Sequence, residues 1–146
     1  NLHLDNLINL GGNIWSDEDL NKIELFSKKT KKDKCSIMNS QIAHKNTKDA
    51  VLYCKYKNYD YELIDGKPYH DFLDHLSEND KIVFFPKTPE TLSRIVVEAR
   101  MMNMKVITNS LVGAASENWF KLKGLELIKM MKDKKEKILR TVLEVF

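Results

Sequence analysis

The spacing of apolar and polar residues divides this chain into alternating helices and strands. WSDEDLNKIELF, residues 15–26, has a helical period. Ser16 suits an N-cap and Asp19 the third helical position, while Trp15 and Leu20 are placed to form a hydrophobic staple. The first helix is therefore expected from about Asp17 to Ser27. KKTKKDK, residues 28–34, reads as a solvated basic turn, and CSIMN as a short strand. Asn46 or Thr47 caps a helix that runs through about Tyr56. YELID is the second strand, DGKPY a turn and YHDFLDHL a short helix. KIVFF is the third strand, PETLSRIVVEARMM a helix and KVITN the fourth strand. From Gly124 to Phe146 a long amphipathic helix carries Leu125, Ile128, Met131, Ile138, Val142 and Val145 on one side. Residues 1–14 show no clear period and read as a lead-in or linker, leaving 15–146 as the domain.

KIVFF lacks inside/outside alternation, so both of its faces should be buried, as in a parallel sheet covered by helices. The β-α-β-α-β-α-β order predicts an α/β fold, a Rossmann-like three-layer α/β/α domain with a parallel sheet. Ligands of such sheets sit beyond the carboxyl ends of the strands. The candidate segments are then Asn39 to Lys45, Asp65 to Tyr69, Pro86 to Glu90 and Asn109 to Gly113.

Composition narrows the partners. A chain of 146 residues suits one domain with a proper core. With 24 basic and 21 acidic residues the net charge is +3, too balanced to argue for nucleic acid. The apolar runs are too short for a transmembrane helix, and there is no signal peptide. A start at Asn1 rather than Met suits a fragment or a processed product. Cys35 and Cys54 form no CxxC and read as reduced core thiols, which points to the cytoplasm.

The chemistry concentrates between residues 86 and 113. If a helix opens at Glu90, the backbone N–H groups of Thr91, Leu92 and Ser93 are unpaired donors, favoured by the helix dipole as an anion site. Phosphate or pyrophosphate is the natural guest. Glu90, a carboxylate beside that site, is better suited to accepting bonds from neutral hydroxyls. Glu98 stands two turns on, roughly 12 Å along the axis and about 80° round it. It lies at the edge of the expected core stripe of Leu92, Ile95, Val96, Ala99 and Met102. The two carboxylates would line one side of an elongated ligand with hydroxyls at both ends and negative charge between, as in a sugar joined to a nucleoside by pyrophosphate.

PETLSRIVVEA followed by KVITN resembles the EX7E region of GT-B glycosyltransferases, especially family 4-like enzymes, and the resemblance extends from about Cys35 to Gly113. It implies the C-terminal, donor-binding half of such an enzyme: hexose transfer from a UDP- or GDP-sugar, with retention and without a bound metal or other cofactor. It assigns Glu90 to catalysis and to the sugar hydroxyls, and Glu98 to the ribose. It matches Lys45, in NSQIAHKNTKDAV, to one member of a basic pair on the pyrophosphate. Ser40 and Gln41 stand where the arginine of that pair is expected, with Arg94 as a candidate substitute. Tyr69 falls where the family places its base-contacting loop. Gly113, in TNSLVGA, matches the glycine that approaches the donor. The implied partner is an N-terminal acceptor-binding domain, and the implied acceptor a glycan or a lipid-linked carrier.

Other features rank lower. His70 and His75 are five apart, not the i, i+4 spacing of a helical metal pair, so no metal site is expected of them. Lys129, Lys132, Lys134, Lys135 and Lys137 give the last helix a solvated basic face, suited also to peripheral contact with an anionic membrane. Neither GxGxxG after the first strand nor GxxxxGK[ST] is present, against a dinucleotide dehydrogenase and a P-loop NTPase. The alternatives are a non-catalytic nucleotide-sugar binding module and an epimerase-like sugar-nucleotide enzyme.

Overall fold

A computed structural model describes residue 8 and residues 10–145. The expected lead-in over 1–14 and the last residue of the expected C-terminal helix fall partly outside them. Four strands form one all-parallel sheet: β1 (Lys32–Met38), β2 (Tyr61–Ile64), β3 (Asn79–Phe84) and β4 (Lys105–Thr108), in the order β2-β1-β3-β4. The helices are α1 (Asp17–Ser27), α2 (Thr47–Lys57), α3 (Tyr69–Leu76), α4 (Arg94–Met101) and α5 (Gly124–Val145). They cover both faces of the sheet, giving the Rossmann-like three-layer α/β/α fold.

Side-chain alternation on the two inner strands decides the layers. Cys35 and Ile37 of β1 and Val83 of β3 pack with Ala50 and Cys54 of α2 on one face. Ile82 and Phe84 turn to the other face, where they meet Leu73 and Leu76 of α3, Val96 and Val97 of α4 and Leu127 of α5. α1 lies across α3, α4 and α5 and inserts Leu20 and Ile23 into the same core, joined there by Trp15 from just before the helix. Each such aliphatic side chain, fully buried, contributes about 1.5–3 kcal/mol. Burial pushes the Cys35 thiol up to about 12, which keeps it protonated.

Ser16 caps α1 as expected: its Oγ accepts from the Asp19 amide at 3.0 Å. Ser16→Ala removes that acceptor and should cost about 1 kcal/mol of unfolding free energy, read as a shift in urea midpoint at unchanged slope.

Three elements, β1, α5 and α4, differ from the sequence reading in extent or in burial. β1 starts at Lys32, inside the expected basic turn, because Lys32 pairs with Asn79 and donates its amide to the Glu78 carbonyl at 2.8 Å. α5 buries Leu127, Ile128, Met131 and Ile138, while Leu125, Val142 and Val145 are exposed, so its outer end runs past the core. α4 starts at Arg94 rather than at Pro89 or Glu90. It is buried more widely than the expected stripe: Val97 and Met101 are inside, and Leu92 and Ile95 only partly.

Among the described residues no helix is long and apolar enough to cross a membrane.

Candidate functional site

The strand order fixes where a ligand crevice opens. From β1 the chain moves outward to β2, then returns to the other side of β1 to form β3. The connections leaving β1 and β3 therefore diverge, and the gap beyond their carboxyl ends is the switch point at which doubly wound sheets bind ligands.

Side chain–backbone bonds tie the two loops at that gap together. Thr47 Oγ1 donates to the Met38 carbonyl at 2.7 Å, and Asn46 Nδ2 to the Phe85 carbonyl at 2.9 Å. The Lys87 amide donates to the His44 carbonyl at 2.8 Å. The short 3₁₀ turn Ala43–Lys45 is thereby set against the loop after β3. Lys45 Nζ donates to Glu90 Oε1 at 2.6 Å and lies 5.5 Å from the centroid of the Phe84 ring. Both side chains of this pair are mostly covered but still reachable from solvent.

Glu90 itself is held by backbone pairing. Its amide donates to the Leu111 carbonyl at 2.9 Å, and its carbonyl accepts from the Gly113 amide at 2.8 Å. This corrects the expectation that Glu90 opens a helix. Backbone groups at Glu90 are engaged with residues 111–113, and Ser93 takes φ +65°, which no right-handed helix can include. The amides of Thr91, Leu92 and Ser93 therefore do not form a helix N-terminus. Positive φ at a non-glycine residue is strained backbone of the kind that gathers at functional sites.

Gly113 also changes its meaning. A Cβ there would overlap the Thr91 carbonyl oxygen and stand 2.8 Å from the carbonyl carbon. Glycine is needed because the 90–91 backbone approaches, and the ligand expected to require it is not what occupies that space.

A cleft of about 750 Å³ lies in front of this loop, walled by Gly11, Gly12 and Asn13 on one side and by Glu90 to Arg94 on the other, with Glu117 at the rim. It is within the size range of small-molecule sites. Lys45 reaches its edge through Glu90.

Glu98 and Tyr69 are not on the cleft wall. Glu98 is 3% exposed, and its Oε2 accepts from Trp15 Nε1 at 3.2 Å and from the Tyr69 hydroxyl. Burial raises the Glu98 pKa above the ordinary carboxylate value, and the bonds from Tyr69 and Trp15 only partly oppose this. Burial, the Glu98 charge and the bond to it likewise push the Tyr69 hydroxyl well up. Arg94 bridges the two regions: its guanidinium stacks 4.7 Å from the Trp15 ring centroid and donates to the Ile14 carbonyl at 3.0 Å. Sequence spacing put both glutamates along one ligand. The structure joins Lys45, Glu90, Thr91, Leu92, Ser93, Arg94 and Gly113, and seals Glu98 behind the indole. Trp15 is the residue the sequence reading missed at this site; its role as a staple was visible, but its reach to a residue 83 positions away was not.

No protein-family model, curated protein or solved structure gives a significant match to this chain.

Proposed function

We propose that this domain binds a nucleoside-diphosphate sugar and serves as the donor-binding half of a GT-B-type glycosyltransferase, completed by an acceptor-binding domain. The observation that carries the reading is the Lys45–Glu90 pair, 2.6 Å apart, at the diverging carboxyl ends of β1 and β3 and beside a large cleft. An ammonium has three donors, so Lys45 can keep Glu90 and still offer protons to a diphosphate. Glu90, neutralised in part by Lys45, accepts from sugar hydroxyls. Arg94, on the same cleft, adds a second positive charge in place of the arginine that the loop from Ser40 lacks. In the completed enzyme these cations stabilise charge developing on the leaving diphosphate, and the chemistry is transfer of the sugar to an acceptor hydroxyl. The domain alone binds donor weakly and does not turn over.

A second reading, a non-catalytic nucleotide-sugar module, is favoured by one feature: Glu98 is committed to Trp15 and Tyr69, so the carboxylate expected on the ribose is not on the cleft wall.

Calorimetric titration with UDP, GDP, ADP and their sugar conjugates tests binding. One diphosphate series should bind selectively, and Lys45→Met and Glu90→Gln should each weaken it roughly tenfold or more, the loss of one charged hydrogen bond. Binding that neither substitution alters would refute the site. Joining the domain to an acceptor-binding half separates the readings: turnover abolished by Glu90→Gln supports the transferase, and binding without turnover supports the module.

A further inference from the structure

His75 finds different company from the one its spacing suggested. His70 pairs with Asp19 at 2.7 Å, away from His75. His75 instead meets Glu62 of β2 and Glu78 of the turn before β3, and one ligand atom from each of the three lies within 4.8 Å of the others. His75 Nε2 is 2.6 Å from Glu62 Oε1. All three side chains are partly buried, at the amino-terminal edge of the sheet, opposite the Lys45–Glu90 cleft.

We infer that Glu62, His75 and Glu78 form a binding site for one zinc-class divalent cation that clasps β2, α3 and the start of β3 together. One imidazole nitrogen and two carboxylates are a donor set zinc accepts, with water completing a tetrahedron. Ligands of tetrahedral zinc at about 2.0–2.1 Å stand roughly 3.4 Å apart, so Glu78 closes in by at most about 1.4 Å while the Glu62 oxygen and His75 Nε2, now 2.6 Å apart, part by about 0.8 Å to admit the ion. Glu78 sits in a turn with a half-exposed carboxylate and can supply that movement.

A second, independent feature lies behind Glu62. Asn79 is fully buried, and its side-chain amide is directed at the carboxylate, with Nδ2 3.3 Å from Glu62 Oε2 and 2.9 Å from Ser36 Oγ. The Asn79 Oδ1 has no partner among the described residues. A buried amide that orients a ligating carboxylate is the kind of outer support metal sites carry. Two lysines occupy the flanks: Lys67 Nζ is 2.6 Å from His75 Nδ1, and Lys32 Nζ is 4.0 Å from Glu78 Oε2. They are the competing cations. Zinc would take the Nε2 lone pair, release any proton shared between Nε2 and Glu62, and turn Nδ1 into a donor, so exposed Lys67 must swing away.

The test is calorimetric titration of the whole chain with zinc chloride in a non-coordinating buffer, with the imidazole nitrogens followed by NMR. One zinc per chain should bind, shifting the His75 ring and leaving the His70 ring in place. His75→Ala and Glu78→Gln should each weaken binding roughly tenfold or more, and Lys67→Met should strengthen it. If His75→Ala does not fold, Glu78→Gln, at a half-exposed turn position, decides. The site is refuted if wild type shows no saturable binding, if Glu78→Gln binds within twofold of wild type, or if His70→Ala removes the binding instead.

Discussion

Gly113→Ala is expected to cost about 3 kcal/mol of stability, at the upper end of overpacking losses, and to abolish ligand binding with it. The reason is backbone rather than side-chain crowding. The new methyl would overlap the Thr91 carbonyl and press the Glu90 carbonyl oxygen at 3.2 Å. No rotamer change relieves a clash with main chain. Relief requires breaking the bridge at Glu90, whose two backbone bonds run to Leu111 and Gly113. Once it breaks, Glu90 swings off Lys45 and Ser93 loses the frame that holds its positive φ. Urea unfolding and donor titration on the same variant check both halves. A variant that keeps full stability and affinity would show that the 90–91 and 111–113 segments are not braced together.

Glu98→Ala is expected to cost about 2–3 kcal/mol, because it strands the Trp15 indole N–H and deprives the Tyr69 hydroxyl of its acceptor. Glu98→Gln keeps an acceptor and should be much milder. The two forms separate with pH. Burial raises the folded-state pKa of Glu98 above 4.5, so between these values the folded chain holds a proton that the unfolded chain has released. Stability contributed by this group is then full below the unfolded pKa and falls as pH rises through the folded one. Wild type should lose stability relative to Glu98→Gln on raising the pH from about 4 upward, the reverse of a salt-bridged carboxylate. Denaturant titrations of both proteins across that range give the difference directly. A difference that stays flat, or moves in favour of wild type as pH rises, would contradict a desolvated Glu98.

What the sequence disclosed depended on range. The α1 cap was legible because Ser16 and Asp19 are three residues apart, and the parallel sheet because KIVFF is apolar on both faces. The carboxyl-end loops followed from element order alone. The start of α4 was not legible. Pro89 and Glu90 have good helix-start chemistry locally, but the chain there is claimed by residues 111–113 and by the left-handed turn at Ser93. Helical spacing placed Glu98 at the edge of a stripe; only the entry of Trp15 from before α1 shows that it is sealed. The same limit hid the Glu62–His75–Glu78 cluster. Its members come from a strand, a helix and a turn, and a search for i, i+4 histidines tests a single helix.

The central claim is that the Lys45–Glu90 crevice receives a nucleoside-diphosphate sugar. The most direct test is a backbone amide NMR titration of the isotope-labelled chain with UDP- and GDP-sugars. The account predicts saturable shifts, for one of the two bases, confined to the segments 10–13, 39–45, 90–94 and 111–113, and lost in Lys45→Met. Spectra unchanged at millimolar donor, or shifts that gather away from those loops, would contradict it.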